Sequence, residues 1–350
     1  MTLSSISSLE EFDAALSASD ATALISTAHA IRLRMHDPTV VTYSLDPIIN
    51  YTNVCTAACS FCAFYRSSGH RQAYVLSRAA LELQIDKAIA EGARGILIQG
   101  GLHPQLTLDW YVDLLESIKR QYGIHLHCFS APEILNIATL SGLSTKEVLH
   151  RLKDAGMDSL PGAGAEILHD EVRSSISRRK CGSADWLSVH RSAHQLGLPS
   201  SATMMFGCGE TSKHLYAHFT ALRDLQNETG GFTAFIPWPF QPTNTLLARV
   251  VPNKATADRY IRIVALSRIM LDNIQNVQVS WPTMGLQVAS QALEAGANDF
   301  GSVLLEEHVL SAAGTRVTAT ASDIRKTIES SGFRPIQRDA VYSSFVSNSQ

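Results

Sequence analysis

The sequence has few charged residues, no excess of either charge sign and no long apolar run. Charged residues make up 17% of the 350 residues and the net charge is −3, which excludes a basic field that would attract nucleic acid or an anionic membrane. No run of about 20 apolar residues occurs, so no helix is expected to span a bilayer. The first residues, MTLSSISSLEEFDAAL, lack the basic and apolar segments of a signal peptide, and we therefore expect a cytoplasmic protein.

Cysteine is also scarce, but three of the six cysteines lie close together. Cys55, Cys59 and Cys62 have the spacing C-x3-C-x2-C, while the other three stand alone. In a reducing compartment, clustered cysteines bind metal more often than they form disulfides. The same spacing would suit the buried face of a helix, and a zinc ion with a distant fourth ligand is a further alternative. A four-iron, four-sulfur cluster is the interpretation we favour, because three thiolates leave its fourth iron open to a small chelating molecule.

Short apolar segments alternate with amphipathic helical patterns along most of the chain. Ser77 begins one predicted helix, which runs to Glu91. Residues 8–36 are also predicted to be helical, with Asp20 as a possible cap before ATALISTAHAIRLRM. Eight strands that alternate with helices in about 250 residues predict an α/β fold, a (β/α)8 TIM-type barrel. An open barrel is the alternative, since the fourth and eighth strands are weakly marked. The predicted strands are 48–53, 95–101, 124–130, 158–166, 201–207, 232–238, 277–281 and 298–302.

One domain is the simplest organisation, because no linker or repeat interrupts the pattern. We expect an N-terminal helical extension at 1–47, the barrel at 48–320, and a C-terminal helix and tail packed on the barrel at 321–350. Chemistry in such barrels takes place at the C-terminal ends of the strands. The unusual motifs of this sequence follow predicted strands, so we expect them to meet on one rim of the barrel.

The cysteine motif, with Phe61 directly before its third cysteine, resembles the signature of the radical S-adenosylmethionine (SAM) superfamily. The resemblance implies a radical SAM barrel in which Cys55, Cys59 and Cys62 hold one [4Fe-4S] cluster. It implies that SAM binds the open iron and is cleaved to a 5′-deoxyadenosyl radical. Contacts to SAM are implied for the glycine pair after the second strand, the acid after the fourth and the stretch after the fifth. The implied cofactor-binding residues are Phe61, Gly100, Gly101, Glu166, Met205, Gly207 and Glu210.

Motifs along nearly the whole chain resemble the family of cyclic dehypoxanthinyl futalosine synthases, which act in the futalosine route to menaquinone. They are NYTNVC, LIQGGLHP, HLHCFSAPEI, DSLPGAGAEIL, FIPWPFQP, GANDFGS and RPIQRDAVY. Ala163 stands where the family pattern has glycine, and Cys208-Gly209 where a larger residue is usual. The resemblance implies a radical SAM oxidoreductase that removes a hydrogen from the ribose of dehypoxanthine futalosine and closes a new ring. An electron donor such as flavodoxin or ferredoxin is the implied partner.

The implied substrate carries a benzoate, and its cyclisation releases one proton. A carboxylate favours a forked donor and an aromatic ring favours aromatic partners, so the predicted substrate-binding residues are Arg66, His70, Trp238, Phe240 and Gln241. An imidazole titrates nearest neutrality, so the candidate catalytic bases are His103, His125 and His127.

Two groups of alternatives remain open. Aminofutalosine synthase and F0-synthase-like radical SAM enzymes share the chemistry of the cofactor and differ in the substrate. A non-catalytic iron–sulfur or zinc-binding barrel is the alternative from another class. Electron carriers usually have four cysteine ligands per cluster, and such a barrel would leave the glycines at the strand ends unexplained.

Overall fold

The computed structural model describes residues 6–303, 308–315 and 318–346. The strands are β1 (Val40–Ser44), β2 (Ile48–Asn50), β3 (Gly95–Gln99), β4 (His125–Cys128), β5 (Ser200–Phe206), β6 (Phe232–Pro239), β7 (Asn276–Val277), β8 (Asp299–Ser302), β9 (Arg334–Arg338) and β10 (Phe345–Val346). The helices are α1 (Leu9–Ser17), α2 (Thr22–Met35), α3 (Arg78–Ala90), α4 (Leu108–Tyr122), α5 (Ala131–Ser141), α6 (Thr145–Asp154), α7 (Asp170–Ile176), α8 (Ser183–Gln195), α9 (Ser212–Thr229), α10 (Ala257–Met270), α11 (Trp281–Met284), α12 (Leu286–Glu294), α13 (His308–Ala312) and α14 (Ala321–Ser330). No helix within these ranges has the length and apolar character needed to cross a membrane.

Parallel pairings form a closed ring of eight strand positions. β2 pairs with β3, β3 with β4, β5 with β6, β6 with β7, and β8 with β1. Single parallel bridges join β4 to Ser159, Leu160 to β5, and Gln278 to β8. β1 and β2 act as one bent strand, since the carbonyl of Pro47 between them still accepts from Leu97 of β3. The predicted (β/α)8 barrel is therefore confirmed, with its fourth strand reduced to the bridges at Ser159 and Leu160.

Helix starts follow the capping residues in the sequence. Ser77 Oγ accepts from the backbone N–H of Ala80, and the apolar face of α3 is buried, as the sequence predicts. Residues 8–36 form two helices, α1 and α2, and Asp20, the possible cap, lies between them. Asp20 accepts from both the backbone and the hydroxyl of Thr22, and this local pairing interrupts the helix before α2 begins.

Three strands, β1, β9 and β10, lie outside the strands that the sequence predicts. β9 lies parallel to β1, with Val40 opposite Arg334 and Tyr43 opposite Gln337. Residues 40–44, expected in the N-terminal extension, thus belong to the barrel sheet, and the C-terminal segment adds a strand beside them. The last residues of the expected tail, 347–350, lie outside the described ranges.

Candidate active site

A cavity of about 420 Å³ lies inside the barrel and opens toward the C-terminal ends of the strands. Its wall takes residues from the barrel strands, from the loops that follow them and from the segment after β9. The predicted site residues in this wall are Cys55, Cys59, Phe61, Cys62, Gly100, Gly101, His127, Glu166 and Trp238. Motifs that are separated by up to 183 positions along the chain therefore meet around one space, as expected at this end of a barrel.

The cysteines lie on a loop that Arg66 holds in shape. A parallel bridge between Val54 and Arg66 closes the loop, and Cys55 N–H donates to the Arg66 carbonyl at 3.0 Å. The guanidinium of Arg66 donates to the carbonyls of residues 63, 64 and 65 at 2.9, 3.1 and 2.8 Å. These contacts direct the Arg66 charge into the loop, and the side chain is not part of the cavity wall. His70 is exposed and accepts from Gln72 N–H, also away from the cavity.

The outer side of this loop contacts two further segments through Ser60. Ser60 donates from its N–H and its hydroxyl to the carbonyl of Ile176 at the end of α7, at 2.9 and 3.0 Å. Its own carbonyl accepts from Leu247 N–H at 2.8 Å, in a 3₁₀ turn. Beyond these contacts the surface is basic and apolar, and we call it the rim patch. The rim patch consists of Arg178, Arg179, Leu246, Arg249 and Val250, all exposed.

The three thiols are too far apart to share one metal ion. Ligands of a single zinc ion lie about 4 Å apart, given Zn–S bonds of about 2.3 Å. Among the described residues, the three cysteine sulfurs do not form a group in which all ligand atoms lie within 4.8 Å of one another. A larger inorganic core, with one thiolate on each of three corners, suits this wider spacing. Burial raises the pKa of Cys59 to about 12 and also raises the pKa of Cys62, and coordination to a cation would overcome this by ionising the thiols.

Position 101 requires glycine because the cysteine loop leaves no room for a side chain there. A Cβ there would lie 2.2 Å from the carbonyl oxygen of Val54 and 2.7 Å from Cβ of Cys55. The N–H of Gly101 donates to the Thr52 carbonyl at 3.1 Å. The backbone after β3 is thus placed directly against the first cysteine.

The neighbouring Gly100 is fixed by a buried carboxyl that the sequence did not reveal. Glu133 accepts from Gly100 N–H at 2.9 Å and from the Tyr51 hydroxyl at 3.0 Å, and its other oxygen accepts from the N–H and hydroxyl of Ser130. Burial raises the pKa of Glu133 to about 7, although these donors oppose the shift. The Ser130–Glu133 pair has the spacing of a capping box, which marks the start of α5 but not this second contact.

Glu166 forms a buried ion pair with Lys180, a residue without a motif of its own. Lys180 Nζ lies 2.6 Å from Glu166 Oε1 and 5.4 Å from the ring centre of Phe61. Burial lowers the pKa of Lys180, but the charge of Glu166, assisted by Cys59, outweighs it, so the pKa of Lys180 is raised above its ordinary range. Both side chains are in the cavity wall beside the cysteines. The pair therefore places a fixed cation and a carboxylate next to the thiols.

His127 is the one candidate base that the structure brings to the cavity. Its Nδ1 lies 2.7 Å from Oγ of Ser159, and the same oxygen lies 2.7 Å from Nε2 of His125. Burial, with smaller contributions from His125 and Arg338, lowers the pKa of His127 to about 3. His103 lies outside the cavity wall, and its Nδ1 accepts from Gln105 N–H.

The remaining predicted residues lie outside the cavity wall for identifiable reasons. Met205 and Phe240 are buried in the apolar core, and the Gln241 amide donates to the carbonyls of residues 239 and 240. Glu210 accepts from the N–H groups of Gly207 and Cys208, so that carboxylate closes its own turn.

The C-terminal segment supplies two wall residues that no sequence motif predicted as functional. Arg338 forms a two-point ion pair with Asp299, at 2.7 and 2.8 Å. Its guanidinium lies 4.0 Å from the ring centre of Tyr342. Arg338 and Tyr342 both line the cavity, so the segment after β9 closes part of its wall.

A second cluster, outside the cavity wall, has the composition of a metal site but is hydrogen-bonded in another way. His169, Glu171 and His214 are the one set of three potential ligands within 4.8 Å of one another in the described parts of the chain. Thr211 N–H donates to Nδ1 of His214, so the proton of that ring is on Nε2, which lies 3.2 Å from Glu171. An imidazole that donates from this nitrogen has no lone pair there for a metal, and the cluster is explained as a histidine–carboxylate pair.

Two family models match successive parts of the chain. Residues 49–222 match the model described as the radical SAM superfamily. Residues 229–349 match the model described as the CofH/MqnC C-terminal region. The first match contains the cysteine loop, the glycine pair and Glu166, and the second contains Trp238 and Arg338.

Individual relatives agree with these matches. A cyclic dehypoxanthine futalosine synthase of Halalkalibacterium halodurans is 42% identical, over 91% of this chain and 85% of that protein. The synthase of the same name from Streptomyces coelicolor is 36% identical, over 93% and 82%. A 5-amino-6-(D-ribitylamino)uracil–L-tyrosine 4-hydroxyphenyl transferase of Archaeoglobus fulgidus is 37% identical, over 86% and 88%. The solved structure of methylornithine synthase (PylB) has the same fold, with a TM-score of 0.73 over 94% of both chains at 17% identity.

Proposed function

Since the chain belongs to the radical SAM superfamily, within the group that contains the cyclic dehypoxanthine futalosine synthases, we propose that it cyclises dehypoxanthine futalosine in menaquinone biosynthesis. The 42% identity to such a synthase, over 85% of its length, is the observation that carries this proposal. The chain is an enzyme of the radical SAM class, and its substrate is a small molecule. A non-catalytic iron–sulfur or zinc-binding scaffold is thereby set aside.

The cavity wall fits the cofactors that the family uses. Cys55, Cys59 and Cys62 would hold a [4Fe-4S] cluster, because their sulfurs are too widely spaced for one ion and, among the described residues, no fourth cysteine lines the cavity. When bound together, the cluster and SAM supply a 5′-deoxyadenosyl radical that removes a hydrogen from the substrate. Lys180 offers a cation to an anionic group of SAM, and Glu166 can accept from hydroxyl donors.

The chain itself positions the substrate and excludes water. The reaction needs radical carbon and target hydrogen held near contact, which an enclosed barrel cavity achieves with its wall. Trp238 lies in that wall and offers an aromatic surface to the benzoate ring. Ring closure must also release one proton and one electron, and His127 is the candidate base that lines the cavity.

Electrons are supplied from outside by a donor such as flavodoxin or ferredoxin. The rim patch is the candidate docking surface, because Ser60 joins it to the cysteine loop through contacts of 2.8 to 3.0 Å. Arginine side chains beside exposed apolar ones suit an acidic protein carrier.

A second candidate function is 4-hydroxyphenyl transfer from tyrosine to 5-amino-6-(D-ribitylamino)uracil. It is supported by the 37% identity to the Archaeoglobus transferase, which is equal within a point to the 36% shared with the Streptomyces synthase. Overall identity to these two proteins therefore does not separate the substrates, and a direct assay is required.

The test is an anaerobic assay of the reconstituted enzyme with dithionite and SAM. Dehypoxanthine futalosine should stimulate 5′-deoxyadenosine release and yield a product lighter by two hydrogens, since one hydrogen is abstracted and one proton and one electron leave. Stimulation by tyrosine with the ribitylaminouracil, but not by dehypoxanthine futalosine, would support the transferase instead. Cys62→Ser should abolish both cluster incorporation and release, whereas Cys208→Ala, a buried cysteine outside the wall, should not.

A further inference from the structure

Three side chains form a hydrogen-bonded chain from the cavity to the outer surface. His127 is in the cavity wall, and its Nδ1 lies 2.7 Å from Oγ of the buried Ser159. The same oxygen lies 2.7 Å from Nε2 of His125. His125 does not line the cavity, yet 21% of its side chain is exposed, so this exposed part faces outside.

The surroundings of the two imidazoles define which group donates and which accepts along His127, Ser159 and His125. A hydroxyl has one proton, so one ring donates to Ser159 and the other accepts from it. Nδ1 of His125 lies 4.0 Å from Asp158, whose carboxylate favours a proton on that nitrogen. His125 then accepts at Nε2, and His127 donates from Nδ1. In the described residues no hydrogen bond reaches Nε2 of His127, which is left as a free acceptor at the cavity.

We propose that His127 takes up the proton released on ring closure, and that Ser159 and His125 conduct it to the exterior. This inference rests on the proposed cyclisation. The aromatic carbon gives its proton to Nε2 of His127, the electron pair of the broken C–H bond stays in the ring, and the unpaired electron passes to a one-electron acceptor of the iron–sulfur class. Nδ1–H of His127 moves to Oγ of Ser159 as the hydroxyl proton moves to Nε2 of His125, and the positive charge ends beside Asp158.

The electrostatic environment favours a positive charge on His125, at the outer end of the hydrogen-bonded chain, over one on His127. Burial lowers the pKa of His127 to about 3, and Arg338 and His125 both disfavour a charge there. The pKa of His125 is also lowered by burial and by Lys119, but Asp158 opposes the shift, with help from the carboxylates at positions 46 and 339. A ring carbon that has lost an electron is a strong acid, so a weakly basic imidazole is sufficient to accept its proton.

Other groups in the wall are less suited to this role. Glu166 is paired with Lys180 at 2.6 Å. One oxygen of Asp46 accepts from the N–H groups of residues 94 and 95, and the other is enclosed by protein.

The protein contains a second histidine–serine–histidine group, which serves as a matched control. Ser200 Oγ lies 2.8 Å from both Nδ1 of His190 and Nε2 of His194. Ser200 and His190 are buried, His194 is half-buried, and none of the three lines the cavity. Ser200→Ala therefore removes an equivalent hydroxyl that has no hydrogen bond to His127, Ser159 or His125.

Single-turnover assays of the anaerobic holoenzyme test the transfer. Ser159→Ala should leave 5′-deoxyadenosine formation within about twofold of the parent and slow cyclised-product formation by roughly tenfold, with His127→Gln slowing it by about a hundredfold, within the range for general acid–base catalysis. In both variants, formation of the cyclised product should show a larger solvent deuterium isotope effect than in the parent enzyme. Ser200→Ala should match the parent in both measurements. Equal loss of product in the Ser159 and Ser200 variants would overturn the proposal.

Nitrogen-15 NMR of histidine side chains tests the path without turnover. In the protein as reconstituted with and without its cluster, His127 and His125 should both carry their proton on Nδ1, and Ser159→Ala should change the tautomer of both. A proton on Nε2 of His127 in the parent protein would overturn the relay, whichever substrate the enzyme uses. A correct tautomer pattern with no cyclised product would count against the proposed substrate and still support the path.

Discussion

Gly101 shows how a missing side chain lets two loops meet. A Cβ at this position would lie 2.2 Å from the Val54 carbonyl, and the N–H of Gly101 is already bonded to the carbonyl of Thr52. Gly101→Ala must therefore push the cysteine loop away from the strand end. Overpacking of this kind costs about 1–3 kcal/mol, and we expect that loss in urea unfolding together with less than half of the parental iron content.

Gly69 provides the control for this substitution. It lies shortly after the cysteines, a Cβ added to it would meet nothing within 4 Å, and its φ is not positive. Gly69→Ala should keep both the urea midpoint and the iron content. Equal iron content in the Gly69 and Gly101 variants would show that the contact does not shape the cluster site.

The sequence predicts some residues of the site and not others, for a physical reason. The cysteines could be predicted because they are scarce and clustered, and the glycine pair because it follows a strand directly. Lys180 and Ser159 belong to no motif, and they matter only because folding brings them next to Glu166 and to two histidines. Arg66 was expected at the substrate and instead binds its own loop, since sequence proximity does not give the direction of a long side chain.

At the scale of elements, β9 could not be predicted because its partner is almost 300 positions away. RPIQR has no alternation of apolar and polar residues that is typical of a strand, and its pairing with β1 depends on the closed barrel. The buried ion pair between Arg338 and Asp299 connects this strand to β8.

Loss of that ion pair should destabilise the fold more than the loss of a surface pair. Arg338→Met leaves Asp299 charged and fully buried without its partner, and breaking a buried pair typically costs about 3–5 kcal/mol. Urea unfolding should show this loss, and the Arg338→Met, Asp299→Asn double variant should recover at least half of it. A double variant that is less stable than the single one would contradict a role for the unpaired charge.

For the whole molecule, buried histidines make stability depend on pH. Burial lowers the pKa of His36 and His194 to about 4 and the pKa of His127 and His218 to about 3. The unfolded chain titrates near pH 6.5, so it binds more protons below that pH, and stability is lost as the pH falls from 6.5 toward these values. Glu133 acts in the opposite direction, because its pKa is raised by burial to about 7 and its folded form holds the extra proton.

Among the described residues, seven histidines have lowered pKa values and one carboxyl, Glu133, has a raised pKa, so the unfolded chain binds more protons and stability falls between pH 6 and 5. Anaerobic urea unfolding at pH 7.5 and 5.5 should show a much lower midpoint at the acidic pH. His218→Gln, which keeps an acceptor for Leu168 N–H, should reduce that difference. An unchanged difference would exclude His218 as a contributor.

The proposed docking surface for the electron donor and the proposed proton path lie on different parts of the barrel. The rim patch adjoins the cysteine loop, whereas the His127–Ser159–His125 chain lies between β4 and the neighbouring strand position at Ser159. Charge at the rim patch should therefore affect reduction by a protein donor and leave the later steps intact. Acidic carriers are steered by arginine, and this attraction weakens with salt.

Reversal of charge at the rim patch tests this separation. Arg178→Glu with Arg179→Glu should slow flavodoxin-driven 5′-deoxyadenosine formation by about tenfold at low salt and flatten its salt dependence, since steering changes association rates by roughly 10- to 1000-fold. Dithionite is small and needs no docking surface, so the rate with dithionite should stay at the parental value. Arg34→Glu with Arg120→Glu makes the same change of charge at exposed positions of α2 and α4 and should leave both rates unchanged. If the rates of 5′-deoxyadenosine formation with flavodoxin and with dithionite fall equally in the rim variant, the substitutions act on the cysteine loop through Ser60 and the donor docks elsewhere.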